Sequence, residues 1–113
     1  MHEYSLIQAL IERVSEIAHA KGASSVKRVH VRLGALAGVD PELFETAFLT
    51  FRERTSCAGA ELLLRQVPAV WRCPRCKRTL GQSAILRCSD CGIPAQLTQG
   101  DDLLLERLEL EVP

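Results

Sequence analysis

Cys73-Pro74-Arg75-Cys76 and Cys88-Ser89-Asp90-Cys91 stand in the last third of a 113-residue chain, two CxxC pairs separated by eleven residues. A CxxC segment can place two thiolates on one side of a tight turn. Two such knuckles facing each other supply the tetrahedral sulfur shell that zinc prefers, with Zn–S bonds of about 2.3 Å. Pro74 fixes φ inside the first knuckle, and Gly92, directly after the second, permits a positive φ. Arg72, Arg75, Lys77, Arg78 and Arg87 surround the sulfurs, with Asp90 as the opposing acid. These cations favour the thiolate forms and offset the negative charge of a zinc tetrathiolate. Sulfur fills all four positions, so no place is left for water and Zn(II) is expected to be structural. Two disulfides or a redox dithiol pair are the competing readings, and an odd count of 5 Cys fits a closed disulfide framework poorly. The fifth, Cys57 in Thr55-Ser56-Cys57-Ala58-Gly59, has no neighbour in sequence that would activate a thiolate. It reads as a loop or partly buried cysteine without a role.

Outward from the knuckles the chain alternates helices and strands. On the N-terminal side a strand opens at Gly59, runs through Leu62 and Leu64 to Val67, and is ended by Pro68. On the C-terminal side Leu103 and Leu105 alternate, while Leu108, Leu110 and Val112 are shifted by one register, so a strand with a bulge is expected from Leu103 to Val112. The lobe is thus inserted between two strands that could pair as neighbours. Further upstream, Asp40-Pro41-Glu42 combines an N-cap, a proline at N1 and an acid in the first turn. Phe44, Ala47, Phe48 and Phe51 carry that helix to about Arg54. Val29, Val31 and Leu33 alternate with His30 and Arg32 in a strand from about Val26 to Leu36. Ile7, Leu10, Ile11, Val14, Ile17 and Ala18 form an apolar stripe on a helix from Tyr4 to Lys21, closed by Gly22. The expectation is an α+β fold in which two helices cover a three-stranded mixed sheet. Residues 1–67 and 99–113 form its main domain, and a small zinc lobe, residues 68–98, precedes the last strand.

Composition narrows the function classes. Apolar residues make up 47 % and charged residues 25 %, as in folded soluble chains. Lys+Arg 14 balances Asp+Glu 14, so no global basic field exists to attract nucleic acid. No apolar run approaches the roughly 20 residues needed to span a bilayer. No secretory signal is read at the start, and a cytoplasmic protein without membrane contact is expected. No Walker A motif and no defensible catalytic constellation is present, so the chain reads as a non-enzyme.

His2 carries information through its position. A free α-amine on Met1, the amide nitrogen of residue 2 and the His2 imidazole can form adjacent chelate rings around one metal. Nitrogen donors in a plane suit Ni(II) or Cu(II). Glu3 could add an oxygen ligand or a hydrogen bond to one. His19, near the end of the first helix, and His30, on the polar side of a strand, have no ligand partner at recognisable spacing.

With Met1-His2-Glu3-Tyr4-Ser5 at one end, CPRC and CSDC near the other, and Gly34-Ala35-Leu36 between strand and helix, the chain resembles the HypA/HybF family of hydrogenase maturation factors over its full length. The resemblance implies a nickel metallochaperone for [NiFe]-hydrogenase, and in some bacteria for urease. His2 then matches the nickel-binding histidine with Glu3 beside it, and Cys73, Cys76, Cys88 and Cys91 match the structural zinc ligands. Asp40 would be an acid close to the nickel site, although its N-cap role explains it without metal. The implied partners are a nickel-loading GTPase, the hydrogenase large subunit and, for urease, its maturation proteins. The chain itself is expected to be a monomer or homodimer. Certain relatives carry histidines beside the zinc cysteines; here none lies between Cys73 and Cys91, so a histidine-based pH response at zinc should be absent or altered. Two other classes compete: a zinc-ribbon nucleic-acid binder, suggested by the basic residues and Trp71, and a thiol redox switch.

Overall fold

The computed structural model describes residues 3–80 and 86–113 together with the backbone of His2. Helix α1 (His2–Ala20) buries Ile7, Ile11, Val14 and Ala18 along one stripe. Its end is a Schellman motif: the Gly22 N–H donates to the His19 carbonyl (3.0 Å) and the Ala23 N–H to the Ala18 carbonyl (2.9 Å), with Gly22 at φ +67°. Helix α2 (Pro41–Phe51) starts where the Asp40-Pro41 pair demands, the Asp40 carboxylate accepting from the Glu42 and Leu43 amides. It buries Phe44, Ala47 and Phe48, and Phe51 meets Tyr4 of α1 edge-to-face, ring centres 5.1 Å apart.

Three strands lie beneath the helices: β1 (Ser25–Gly34), β2 (Glu61–Val67) and a last strand, β6 (Leu103–Glu111). β1 is central, parallel to β2 and antiparallel to β6. The two strands flanking the cysteine lobe in sequence are therefore not neighbours, as the linear order suggested. The reason is the β1–α2–β2 crossover, which lays β2 parallel alongside β1 and leaves the opposite edge to β6. Val29, Val31 and Leu33 of β1 point to the helices and are buried, whereas Arg28, His30 and Arg32 point away. The register break expected in the last strand is present: Glu106 is an extra residue on β6 between the Val31 and His30 pairings, and Lys27 is one on β1.

Several element ends differ from the sequence expectation. α1 starts at His2 rather than Tyr4. β1 stops at Gly34, where the chain turns. α2 stops at Phe51 and β2 begins only at Glu61, because Arg54 (φ +63°) and Gly59 (φ +78°) both adopt the left-handed conformation between them.

The cysteine lobe has a second sheet, β4-β3-β5, built from β3 (Val70–Arg72), β4 (Thr79–Leu80) and β5 (Gln96–Gln99). Trp71 sits opposite Leu80 on one side and Leu97 on the other. The lobe is tied to the main sheet where the chain leaves and returns. Ala35 N–H donates to the Val67 carbonyl (2.9 Å), Leu36 N–H to Gly100 (2.7 Å) and Gly34 N–H to Asp102 (2.8 Å). A Cβ on Gly34 would meet the Gly100 carbonyl group at 2.3 Å, and one on Gly100 would meet Ala69 Cα at 2.6 Å. Backbones cross so closely here that only glycine fits.

Candidate metal centres

The two knuckles are built alike. In the first, Cys73 Sγ accepts from the Cys76 amide (3.5 Å), and the Lys77 N–H donates to the Cys73 carbonyl (2.9 Å). In the second, Cys88 Sγ accepts from the Cys91 amide (3.4 Å), and the Gly92 N–H donates to the Cys88 carbonyl (2.9 Å). The residue four places after the first cysteine takes the left-handed conformation in both, Gly92 at φ +68° and Lys77 at φ +67°. Glycine announced that turn in the sequence; lysine did not, and only the matching offset from Cys73 could have signalled it. Arg78, beyond the first knuckle, ion-pairs with Asp90 inside the second and ties the two together.

The four sulfurs converge. Cys73, Cys76, Cys88 and Cys91 place their Sγ atoms within 4.8 Å of one another, with Cys76 and Cys88 at 3.8 Å. That separation is far longer than a disulfide bond, and a tetrahedral site with 2.3 Å bonds has sulfur–sulfur edges of about 3.8 Å. Cys73 and Cys88 are buried, Cys91 is half-buried and Cys76 faces solvent. Amide N–H groups, that of Cys76 foremost, hold the Cys73 thiol down at about 6. Burial and the neighbouring sulfurs push Cys91 up to about 12. Four sulfurs this close cannot all ionise without a cation among them. The donor set and its spacing therefore fit a four-coordinate zinc ion that leaves no open position.

In the main sheet's layer of helices, at the end where β1 and β2 stop and the lobe is tied on, the first turn of α1 meets the cap of α2. The Asp40 N–H donates to Glu3 Oε2 at 3.4 Å, while Asp40 Oδ1 accepts from the Glu42 N–H (2.9 Å) and the Leu43 N–H (3.1 Å). Glu3 and Asp40, distant in sequence, are thus brought together, and the capping role of Asp40 is real. Met1 and the side chain of His2 lie outside the described residues. Amides in the first turn of a helix have no intrahelical acceptor, so the backbone nitrogen of residue 2 is not committed to α1.

The remaining candidates separate. His30 Nε2 donates to Glu109 Oε2 at 2.6 Å on the outer face of the sheet, and His19 lies in the last turn of α1. Among the described residues, the four cysteines are the one group of three or more His, Cys, Asp or Glu side chains able to hold a metal. Cys57 lies in the loop between α2 and β2, as expected, but its side chain is fully rather than partly buried in the main core, and burial pushes its thiol up, away from the reactive thiolate. Among the described residues no helix is long and apolar enough to cross a membrane.

Similarity to known proteins agrees with this geometry. A family model described as "Hydrogenase/urease nickel incorporation, metallochaperone, hypA" matches residues 1–110. The hydrogenase maturation factor HypA of Shewanella halifaxensis is 42% identical over 113 residues, covering 98% of both chains. That of Aquifex aeolicus is 38% identical over 114 residues, covering 99% of both. The solution structure of the Ni metallochaperone HypA from Helicobacter pylori superposes with a TM-score of 0.72 at 30% identity, covering 98% of each chain. A second solution structure, of a HypA protein, gives 0.80 at 32% identity, covering 100% of this chain and 98% of the other. Two helices on a mixed three-stranded sheet, a four-cysteine cluster suited to zinc and full-length likeness in sequence and structure place this chain in the HypA family of nickel-incorporation metallochaperones for hydrogenase maturation.

Proposed function

We propose that this chain takes up Ni(II) as cargo at its amino end and hands it on for [NiFe]-hydrogenase assembly, while zinc held by Cys73, Cys76, Cys88 and Cys91 shapes the lobe. The Met1 amine, the residue 2 amide and the His2 imidazole supply the nickel nitrogens, with Glu3 as the neighbouring acid and Asp40 as a weaker candidate. The observation that carries this reading is the position of His2 at the very start of α1. Its amide there is free of intrahelical bonding, and the Glu3 carboxylate lies against Asp40 beside it. A terminus with few ligands binds nickel yet can release it, as delivery requires. Irving–Williams ordering means that geometry and metal supply, not raw affinity, must favour nickel over copper.

In this scheme residues 1–67 and 99–113 form the nickel-binding unit and residues 68–98 the zinc lobe. The receivers are a nickel-loading GTPase and then the hydrogenase large subunit, with urease maturation proteins as the alternative client route. The chain performs no catalysis of its own and works in the cytoplasm.

Two variants test the N-terminal site: His2→Ala, and a one-residue extension that displaces the α-amine. Each should lower Ni(II) affinity by more than about tenfold, a loss of about 1.4 kcal/mol, with zinc content unchanged. Titration calorimetry giving wild-type nickel affinity in both would end this proposal.

A further inference from the structure

The four sulfurs of the cysteine cluster are not equivalent. Cys73 and Cys88, the first cysteine of each knuckle, are buried. Each of their sulfurs accepts an amide N–H, that of Cys76 at 3.5 Å and that of Cys91 at 3.4 Å. A hydrogen bond donated to a thiolate stabilises the anion and blunts it as a nucleophile. Cys76, the second cysteine of its knuckle, faces solvent, and among the described residues no amide donates to its sulfur. Cys91 holds the matching place in the other knuckle but is half-buried.

Charge separates Cys76 from Cys91 as well. Arg75 and Lys77 flank Cys76 in sequence, whereas Asp90 precedes Cys91. The Arg78 guanidinium, held across the knuckles by its ion pair with Asp90, acts on the charge of the Cys76 sulfur and on that of Cys88. An exposed thiolate in an electropositive setting is where oxidation starts. Cys88 Sγ lies 3.8 Å from Cys76 Sγ, so about 1.8 Å of closure brings the two to disulfide bonding distance. The same guanidinium faces both.

We propose that Cys76 is the oxidation site of the lobe and Cys88 its disulfide partner, so that a hydroperoxide unloads the zinc that the cluster holds. This inference rests on the zinc reading above. The Cys76 thiolate attacks one oxygen of the hydroperoxide: an S–O bond forms, the O–O bond breaks, and the departing oxygen takes a proton from solvent. The Cys88 thiolate then attacks the Cys76 sulfur, forming the S–S bond and expelling hydroxide, which is protonated in turn. With hydrogen peroxide, two thiolates and two protons give one disulfide and two waters. The two sulfurs together lose the two electrons that the peroxide gains. Cys73 and Cys91 alone are too few to keep a four-coordinate ion. A thiol reductant followed by zinc reverses the change.

The full-length, reduced, zinc-loaded chain treated with stoichiometric hydrogen peroxide tests this. Elemental analysis beforehand should find one zinc per chain. A chromogenic zinc indicator should then report its release, and a thiol count should fall by two. Peptide mapping by mass spectrometry, with the remaining thiols blocked, should place the first disulfide between Cys76 and Cys88 and leave Cys57 reduced. N-ethylmaleimide added to the zinc-loaded chain without peroxide should modify Cys76 before any other cysteine. Cys76→His keeps four ligands in a Cys3His set and should release zinc at least about tenfold more slowly. Should that variant fail to hold zinc, mapping of the wild type decides alone. A first disulfide within either CxxC pair, a first adduct on Cys91, zinc retained through excess peroxide, or Cys76→His unloading as fast as wild type would each overturn the proposal while sparing the zinc reading. A chain prepared under reducing conditions that carries no zinc would overturn both.

Discussion

Glu109 shows how much a single side chain organises on the outer face of the sheet. Its carboxylate accepts from His30 Nε2 (2.6 Å) and Arg107 Nη2 (3.2 Å) through Oε2, and from Arg28 Nη1 (2.9 Å) through Oε1. The His30 hydrogen bond first, and the Arg28 contacts after it, hold the group down at about 2, against an ordinary value of 4.5. A carboxyl whose folded pKa is depressed binds its proton less readily in the native state than in the unfolded one. Its stabilisation is therefore complete above about pH 4.5 and is lost as pH falls toward about 2. With the side chain 30% exposed, solvent screening keeps the effect modest. Glu109→Gln should thus be less stable than wild type at neutral pH, and the gap should close through that acid window. Urea unfolding at a series of pH values checks this, and the comparison with wild type cancels the acid loss of metal from the thiolates common to both. A constant gap down to about pH 2 would show that Glu109 acts through packing alone.

At the scale of elements, Asp40 separates two roles that a sequence cannot. Its Oδ1 caps α2 through the Glu42 and Leu43 amides, so Asp40→Ala should cost about 1 kcal/mol of stability. Asp40→Asn keeps a capping oxygen and should cost little, while removing the charge a metal would feel. Urea midpoints report the first effect and nickel titration the second; nickel affinity unchanged in Asp40→Asn is the expected result, and a severalfold fall would make Asp40 a ligand. Asp40-Pro41 and Lys21-Gly22 made the helix ends legible because capping chemistry is local. The long strands were legible because Val29, Val31 and Leu33 alternate and because Leu105 and Leu108 break step at Glu106. The lobe strands were not: β4 has two residues and β3 three, too few for a period to show. The centrality of β1 was missed for a different reason, since sheet order depends on the β1–α2–β2 crossover, whereas linear order made β2 and the last strand look adjacent. The cysteine cluster was readable from its spacing; the Lys77 turn, with no glycine to mark it, was not.

Taken whole, the molecule is elongated, 57 × 28 × 16 Å, with two units held by very different forces. The main unit has an apolar core running from Ile7, Val14 and Ala18 through Val29 and Val31 to Phe44 and Phe48. The lobe has almost none. Within its three strands and two knuckles the buried side chains, among the described residues, are Cys73 and Cys88, and Trp71, Leu80 and Leu97 are only half-buried. A segment with so little apolar burial cannot offset its own chain entropy, so zinc held by the four cysteines, as proposed, would supply most of its folding free energy. Chelating the zinc should therefore unfold the lobe and spare the rest. The chain contains one tryptophan, Trp71, and it lies in β3, so its emission should shift to the red as the lobe opens. Far-ultraviolet circular dichroism, dominated by α1 and α2, should keep its helical signal, because among the described residues no helix lies in the lobe. Restoring zinc should return the emission to its starting position. Loss of helical signal in step with the tryptophan shift would mean that the ties at Gly34, Leu36 and Gly100 make lobe and core one cooperative unit, and that zinc sustains the whole fold.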